Sequence, residues 1–309
     1  MRNWDKVKTY SIKKRLSKVK SGDFASIPVK GKSFKGFYTS LPNILKAADI
    51  RQVSQAVIKA YHKKRAVIFM CGAHVIKCGL NPVINELIRR KIITCLCING
   101  AGLIHDFELA FLGKTSEDVA ASLKNGSFGM GRETAEFINL AVKDGVNKGL
   151  GLGESVSNKI YSAKLPFKKL SLLSQAEESH IPVCVFVAIG TDIIHQHPSF
   201  DAAAAGLGSS RDFRKLSMEI ARLNNGGVVL NFGSAVIMPE VFLKALNLCR
   251  NLGNRVENFT SANFDMIYHY RPQQNIVARP TQSSGKGHYI IGHHEIMLPM
   301  LAQAIIEGI

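Results

Sequence analysis

No apolar run in this 309-residue chain reaches the ~18 residues needed to cross a bilayer. The most apolar stretch, Ala66 to Leu80, is broken by His74 and Lys77. The amino terminus is basic but lacks the apolar core and small-residue cleavage site of a signal peptide, so a cytoplasmic location is expected. Cysteine is sparse. Six residues, Cys71, Cys78, Cys95, Cys97, Cys184 and Cys249, are too few and too scattered for a disulfide framework. No C-x-x-C pair of the kind that binds zinc is present. Cys95 and Cys97 lie in the apolar run Ile92 to Ile98 and read as buried small hydrophobes. The dinucleotide fingerprint G-x-G-x-x-G is missing after the first expected strand. Gly149-Leu150-Gly151-Leu152-Gly153 imitates part of it, but nothing strand-like precedes it, and it reads as a loop between helices.

Acidic residues are also in short supply, 23 against 40 lysines and arginines, for a net charge of +17. Much of the excess is local: Arg2, Lys6, Lys8, Lys13, Lys14, Arg15, Lys18 and Lys20 fall in the first twenty residues. Such an arm suits nucleic acid, an acidic partner or an anionic membrane surface, or is simply a solvated extension. Few aromatics interleave with the lysines, so a base-stacking platform is not supported. Hydrophobic residues at 46% and charged residues at 20% give an ordinary globular balance. With no repeat and no low-complexity linker, the chain parses as a basic extension (1–40) and one domain (41–309).

What is present is alternation. Ala66 to Gly72, Ile92 to Ile98, Pro182 to Ile189, Gly227 to Asn231 and Tyr289 to Ile291 read as buried strands. Helical patterns cover Pro82 to Lys91, a stretch from about His105, Asp212 to Leu223, Pro239 to Asn251 and His294 to Glu307. This order predicts an α/β fold, a doubly wound and mostly parallel sheet with helices on both faces. Ligands of such sheets bind beyond the carboxyl ends of the strands. The segments there are rich in glycine and polar groups: Gly72-Ala73-His74, Asn99-Gly100-Ala101-Gly102, Gly190-Thr191-Asp192, Gly233-Ser234-Ala235, Thr260-Ser261-Ala262-Asn263 and Gly292-His293-His294-Glu295. Glycine lets backbone approach a ligand, and a following helix start favours an anion. Each segment alone could be a tight turn. Six converging on one edge point to a ligand site.

The order of these segments resembles the deoxyhypusine synthase family. The stretch from Ile68 to Gly113 is similar to that family's first two nucleotide-site strands and turns. Asn125 to Thr134, His180 to Asp192, Asn231 to Ala245, Thr260 to Asp265 and the end from Ala278 follow in the family's order. The resemblance implies a Rossmann-like homotetramer that uses NAD. It implies transfer of an aminoalkyl group from a polyamine, through hydride transfer and a lysine imine, to a protein acceptor. Gly72, Ala73, His74, Asn99, Gly100, Ala101, Gly102, Gly233, Ser234, Thr260, Ser261 and Asp265 are the expected cofactor residues. His105, Asp106, Asp192 and Glu240 are the expected substrate residues.

Departures from the family lie on the polyamine side. Its two adjacent glutamates correspond to Ile104 and His105, with Asp106 kept. Its paired histidines align with Pro239 and Glu240. Its next aspartate falls near His195 or His197. Lost acids weaken the hold on a dication, so a related amine reaction is expected rather than deoxyhypusine synthesis itself. Its nucleophilic lysine aligns with Lys286, read either as an imine-forming lysine or as an exposed loop lysine. His195 or His197 is the expected acid/base. Two alternatives stand beside this reading. One is a metal-dependent hydrolase with His195 and His197 joined by His105, His293, His294 and Glu240. The other is a non-catalytic binding protein on the same fold.

Overall fold

Five of the six strands carry short runs of largely apolar residues that end in a glycine turn, and all six pair into one sheet. The computed structural model describes residues 4–309, so Arg2 of the basic arm lies outside the described residues. The strands are β1 (Val67–Cys71), β2 (Cys95–Asn99), β3 (Val183–Phe186), β4 (Val228–Phe232), β5 (Thr260–Asp265) and β6 (Lys286–Ile291). Their order is β3-β2-β1-β4-β5-β6 and every neighbouring pair is parallel. The doubly wound α/β expectation holds, and the sheet is wholly parallel.

The helices are α1 (Phe34–Ser40), α2 (Leu45–His62), α3 (Ala73–Lys77), α4 (Asn81–Arg89), α5 (Gly100–Leu112), α6 (Val119–Leu123) and α7 (Arg132–Asn147). They continue with α8 (Leu152–Ser162), α9 (Leu172–Glu178), α10 (Ala202–Ala221), α11 (Ile237–Asn251), the short α12 (Tyr270–Pro272) and α13 (His294–Ile306). A π-helical turn, Gln273–Ala278, follows α12.

The chain divides into two units, Met1–Asp49 and Ile50–Ile309. In the first, isolated 3-10 turns precede α1, which is capped by Ser33 accepting from Gly36 N at 3.2 Å. The second holds the sheet. On one face, Ile68, Met70, Cys95, Cys97 and Cys184 pack beneath Leu216 and Ile220 of α10 and Phe242 and Leu246 of α11. On the other, Phe69, Phe232 and Phe264 stack in a row, with centroids 5.3 and 4.2 Å apart. His294 of α13 meets Phe232 edge-on.

Two local expectations change. The helix after β2 starts at Gly100 rather than near His105, because Asn99 caps it. Thr260-Ser261-Ala262-Asn263, expected as a ligand turn, is the start of β5, held in register between β4 and β6. Its polar side chains masked the strand: Ser261 is buried and donates to Ile276 O at 2.6 Å.

Candidate active site

The strand order reverses direction between β1 and β4, and the crevice above such a point is where open parallel sheets take ligands. Gly72, after β1, and Gly233, after β4, meet there. A Cβ on Gly72 would lie 2.2 Å from the Gly233 carbonyl oxygen, and one on Gly233 (φ +61°) would lie 2.6 Å from His294 Nε2. Glycine at both positions lets the two turns pack directly against each other and against His294. His294 is buried with its Nδ1 unpartnered among the described residues. Burial pushes its pKa below the ordinary 6.5, so the ring is neutral at pH 7. The His74 ring lies 6.0 Å away. Ser234 turns its hydroxyl to accept from Met238 N at 3.2 Å, fixing the start of α11.

A second cluster lies above β2 and β3. Asn99 Oδ1 accepts from Gly102 N at 2.9 Å. The bare face of Gly100 is occupied by Asp192: a Cβ there would sit 1.9 Å from Oδ2. Asp192 is buried and its Oδ2 has no hydrogen-bond partner among the described residues. Burial pushes its carboxyl up to about 6, although the Ala101 N–H opposes the shift.

His195 follows in a 3-10 turn. Its Nδ1 accepts from Gly190 N at 3.1 Å and Asp192 N at 3.3 Å, so the neutral ring carries its proton on Nε2. That nitrogen faces Asp192 Oδ2 at 3.7 Å. Phe200 covers the imidazole, with centroids 4.6 Å apart, and burial holds the His195 pKa below 6.5.

Asp192 forms part of the wall of a cavity of about 190 Å³. Ala101, Ile104, His105 and Glu108 supply another wall from α5, at the i, i+3, i+4, i+7 spacing of one helix face. Burial would raise the Glu108 pKa, but His105, Thr115 and Thr134 outweigh it and hold the carboxylate below 4.5. Thr115 Oγ1 donates to Glu108 Oε2 at 2.5 Å and Thr134 Oγ1 to Oε1 at 3.2 Å. Glu117 Oε1 accepts from Gly129 N at 2.8 Å, and Lys77 adds one cation. Three carboxyl groups around an otherwise half-apolar cavity suit a small cationic ligand.

Of the expected residues, Gly72, Ala73, His74, Asn99 to Gly102, Asp192, His195, Gly233, Ser234 and Asp265 stand at this carboxyl edge. Others do not belong to it. Lys286, Thr260 and Ser261 begin β6 and β5, at the opposite end of the sheet. Five residue steps along a strand put Lys286 roughly 17 Å from the carboxyl edge. Asp106 points inward: Asn81, Ser171 and the backbone N–H groups of Leu172 and Leu173 all donate to it, capping α9. Glu240 is tied to Lys244, Arg271 and Asn275. His197 holds Ser199, which in turn accepts from Asn139.

Asp192 lines the 190 Å³ cavity, whereas His195 lines a smaller neighbouring hollow with Gly100 and Phe200. Sequence reasoning missed Glu108 and Glu117. Glu108 was readable, because it lies one helical turn beyond Ile104 and His105 on the same face.

The histidines of the alternative metal-site reading do not gather among the described residues. Among the described residues, the one group of three or more ligand atoms close enough to share an ion is Cys95, Cys97 and Cys184. These thiols lie in the dry core, with Cys95 and Cys97 Sγ 3.9 Å apart.

No family model matches the chain, and no curated protein matches it. Solved structures share its fold. The ternary complex of AgrE with ornithine and NAD+ matches with a TM-score of 0.52 at 13% identity, over 84% of this chain and 33% of that one. A LOR/SDH protein from Methanococcus maripaludis matches at 0.53 and 14% identity, over 85% and 70%. A protein assigned as a deoxyhypusine synthase from Entamoeba histolytica matches at 0.51 and 8% identity, over 90% and 94%. The chain spans about a third of the length of AgrE and of ArgZ, an arginine dihydrolase from the cyanobacterial ornithine-ammonia cycle. At these identities the likeness establishes a deoxyhypusine synthase-like, Rossmann-type fold.

Proposed function

We propose that this chain is an NAD-dependent enzyme that oxidises the carbon beside the nitrogen of a small cationic amine, with Asp192 as its acid/base. The observation that carries the reading is the unpartnered, buried Asp192 Oδ2, whose carboxyl is pushed up to about 6 at the wall of the 190 Å³ cavity. A group with that pKa changes protonation state near neutrality, as proton transfer requires.

The cofactor would be held by Gly72, Ala73 and His74, by Asn99 to Gly102, and by Gly233, Ser234 and Asp265. The crevice fits it in two respects. Gly72 and Gly233 let the ends of β1 and β4 pack in direct contact, so neither turn puts a side chain into the crevice, and the orphaned His294 Nδ1 offers a polar contact. When bound, NAD supplies a hydride acceptor.

The chain's own residues do the rest. Glu108 and Glu117 attract the substrate's ammonium group, with Glu108 kept ionised by its hydroxyl donors. Ile104, Val119, Phe128 and Ile193 flank the alkyl chain and exclude water. Asp192 takes the proton that leaves the substrate nitrogen. His195 keeps its Nε2–H toward Asp192 Oδ2 and stabilises the ionised carboxylate, a positioning role. Aminoalkyl transfer through a Lys286 imine is not part of this proposal, because Lys286 stands at the other end of the sheet.

The test is a screen of diamines and basic amino acids with NAD, read by NADH absorbance in wild type and in Asp192→Asn. Turnover of one such amine that falls at least a hundredfold in the variant supports the reading. Turnover that survives the substitution rejects it.

A further inference from the structure

The amino-terminal end of the sheet carries a second concave site. Gln52, Gln55, Lys59 and Lys63 recur at i, i+3, i+7 and i+11, one stripe along α2 and the residue just past its end. The opposite stripe, Val53, Val57 and Ala60, is buried. Facing the polar stripe are Lys286, which opens β6, and Thr260, its register partner in β5. Together they line a groove of about 240 Å³.

A space between a helix and a sheet usually fills with apolar side chains. This one is walled by polar groups and three lysines, with no carboxylate in its lining. None of Lys59, Lys63 and Lys286 makes a salt bridge with another described residue. Three ammonium groups around one hollow repel each other and create a local positive potential, which a multivalent anion relieves. Lysine binds phosphate as a point charge. Thr260 and the two glutamine amides supply neutral hydrogen bonds to further oxygens. Whole small-molecule sites run to roughly 300–1,000 Å³, so this groove suits the phosphate chain of a ligand.

We propose that the groove between the Gln52–Lys63 stripe and the amino-terminal ends of β5 and β6 is an oligophosphate-binding site, with Lys59, Lys63 and Lys286 neutralising the anion. It lies at the opposite end of the sheet from Asp192 and does not depend on the function proposed above.

The test titrates the full chain with sodium tripolyphosphate and, separately, with ATP, by calorimetry at constant ionic strength. Saturable one-to-one binding is expected, reduced at least tenfold in a Lys59→Gln/Lys63→Gln/Lys286→Gln variant. The single Lys286→Gln variant, which changes one exposed residue, is expected to lose affinity severalfold. Equal affinity for the two ligands assigns the site to a phosphate chain alone, and tighter ATP binding assigns it to a nucleotide. Absence of saturable binding, or affinity unchanged in both variants, overturns the proposal.

Discussion

Asp192 Oδ2 and His195 Nε2 face each other at 3.7 Å, with Asp192 in the wall of a cavity and the imidazole packed under Phe200. The orientation is fixed by backbone: Gly190 N and Asp192 N both donate to the far side of the ring. A neutral imidazole pinned this way can only donate toward Asp192. At 3.7 Å the N–H points at the carboxylate without hydrogen-bonding it, an orientation that favours the charged form should the two draw together.

The pH profile follows. If Asp192 is the base, kcat/KM rises with pH through about 6, where the carboxyl ionises. Replacing His195 with Ala removes the N–H that faces the ionised form at 3.7 Å and should move that limb to higher pH, with turnover reduced ten- to a hundredfold. An unchanged limb in His195→Ala would show that the pair is not coupled.

Glu117→Gln tests the cavity's charge. The carboxylate lies at the cavity wall and accepts from Gly129 N, a bond that an amide oxygen keeps. Loss of one fixed charge should raise KM for a cationic amine about tenfold (about 1.4 kcal/mol) and leave kcat within about twofold. Steady-state kinetics at two salt concentrations check this, since the wild-type KM should rise with salt more steeply than the variant's.

Two buried aspartates should respond oppositely to the same substitution. Asp106, pushed up to about 6 by burial, accepts from four donors. An amide in its place has one acceptor oxygen and cannot take all of them, so Asp106→Asn should destabilise by about 1–3 kcal/mol. Asp212, pushed up to about 7, takes Gly153 N and Val185 N on Oδ2 alone, and Oδ1 is unpartnered among the described residues. An amide reproduces both bonds. For a carboxyl whose folded pKa is raised, the native state holds a proton the unfolded chain has lost. Stability therefore falls as pH rises from about 4 to about 7. Asp212→Asn abolishes that fall, so the variant should gain on wild type by about 1–4 kcal/mol between pH 4 and 8. Urea denaturation at several pH values measures both.

Lys286 offers a chemical test. Standing at the start of β6, it should form no imine with an oxidised amine substrate. Borohydride added during turnover should leave the peptide containing Lys286 unmodified by mass spectrometry. A reduced adduct on Lys286 would restore the imine route.

The sheet was legible because buried parallel strands such as Ala66 to Gly72 are unbroken apolar runs, and because turn glycines stand at their ends. β5 was not legible. Thr260, Ser261 and Asn263 are polar, and only their in-register partners make them a strand. The site was legible in part for a similar reason. Asp192, Gly72 and Gly233 lie one or a few residues past recognisable strands, so topology alone places them. Asp106 misled, because its burial depends on Asn81 and Ser171, distant in sequence. Lys286 misled too, since sequence order cannot say at which end of the sheet a residue stands until the strand beginning there is known. Glu108 could have been found by carrying the helical period one turn past His105.

The central claim, that the carboxyl edge holds a nicotinamide cofactor, is tested most directly by titrating the purified chain with NAD in a calorimeter. The account predicts saturable binding, one NAD per chain, weakened at least tenfold by Gly233→Ala in a variant whose circular dichroism matches wild type. No saturable heat with the wild-type protein, or equal binding by the folded Gly233→Ala variant, would contradict it.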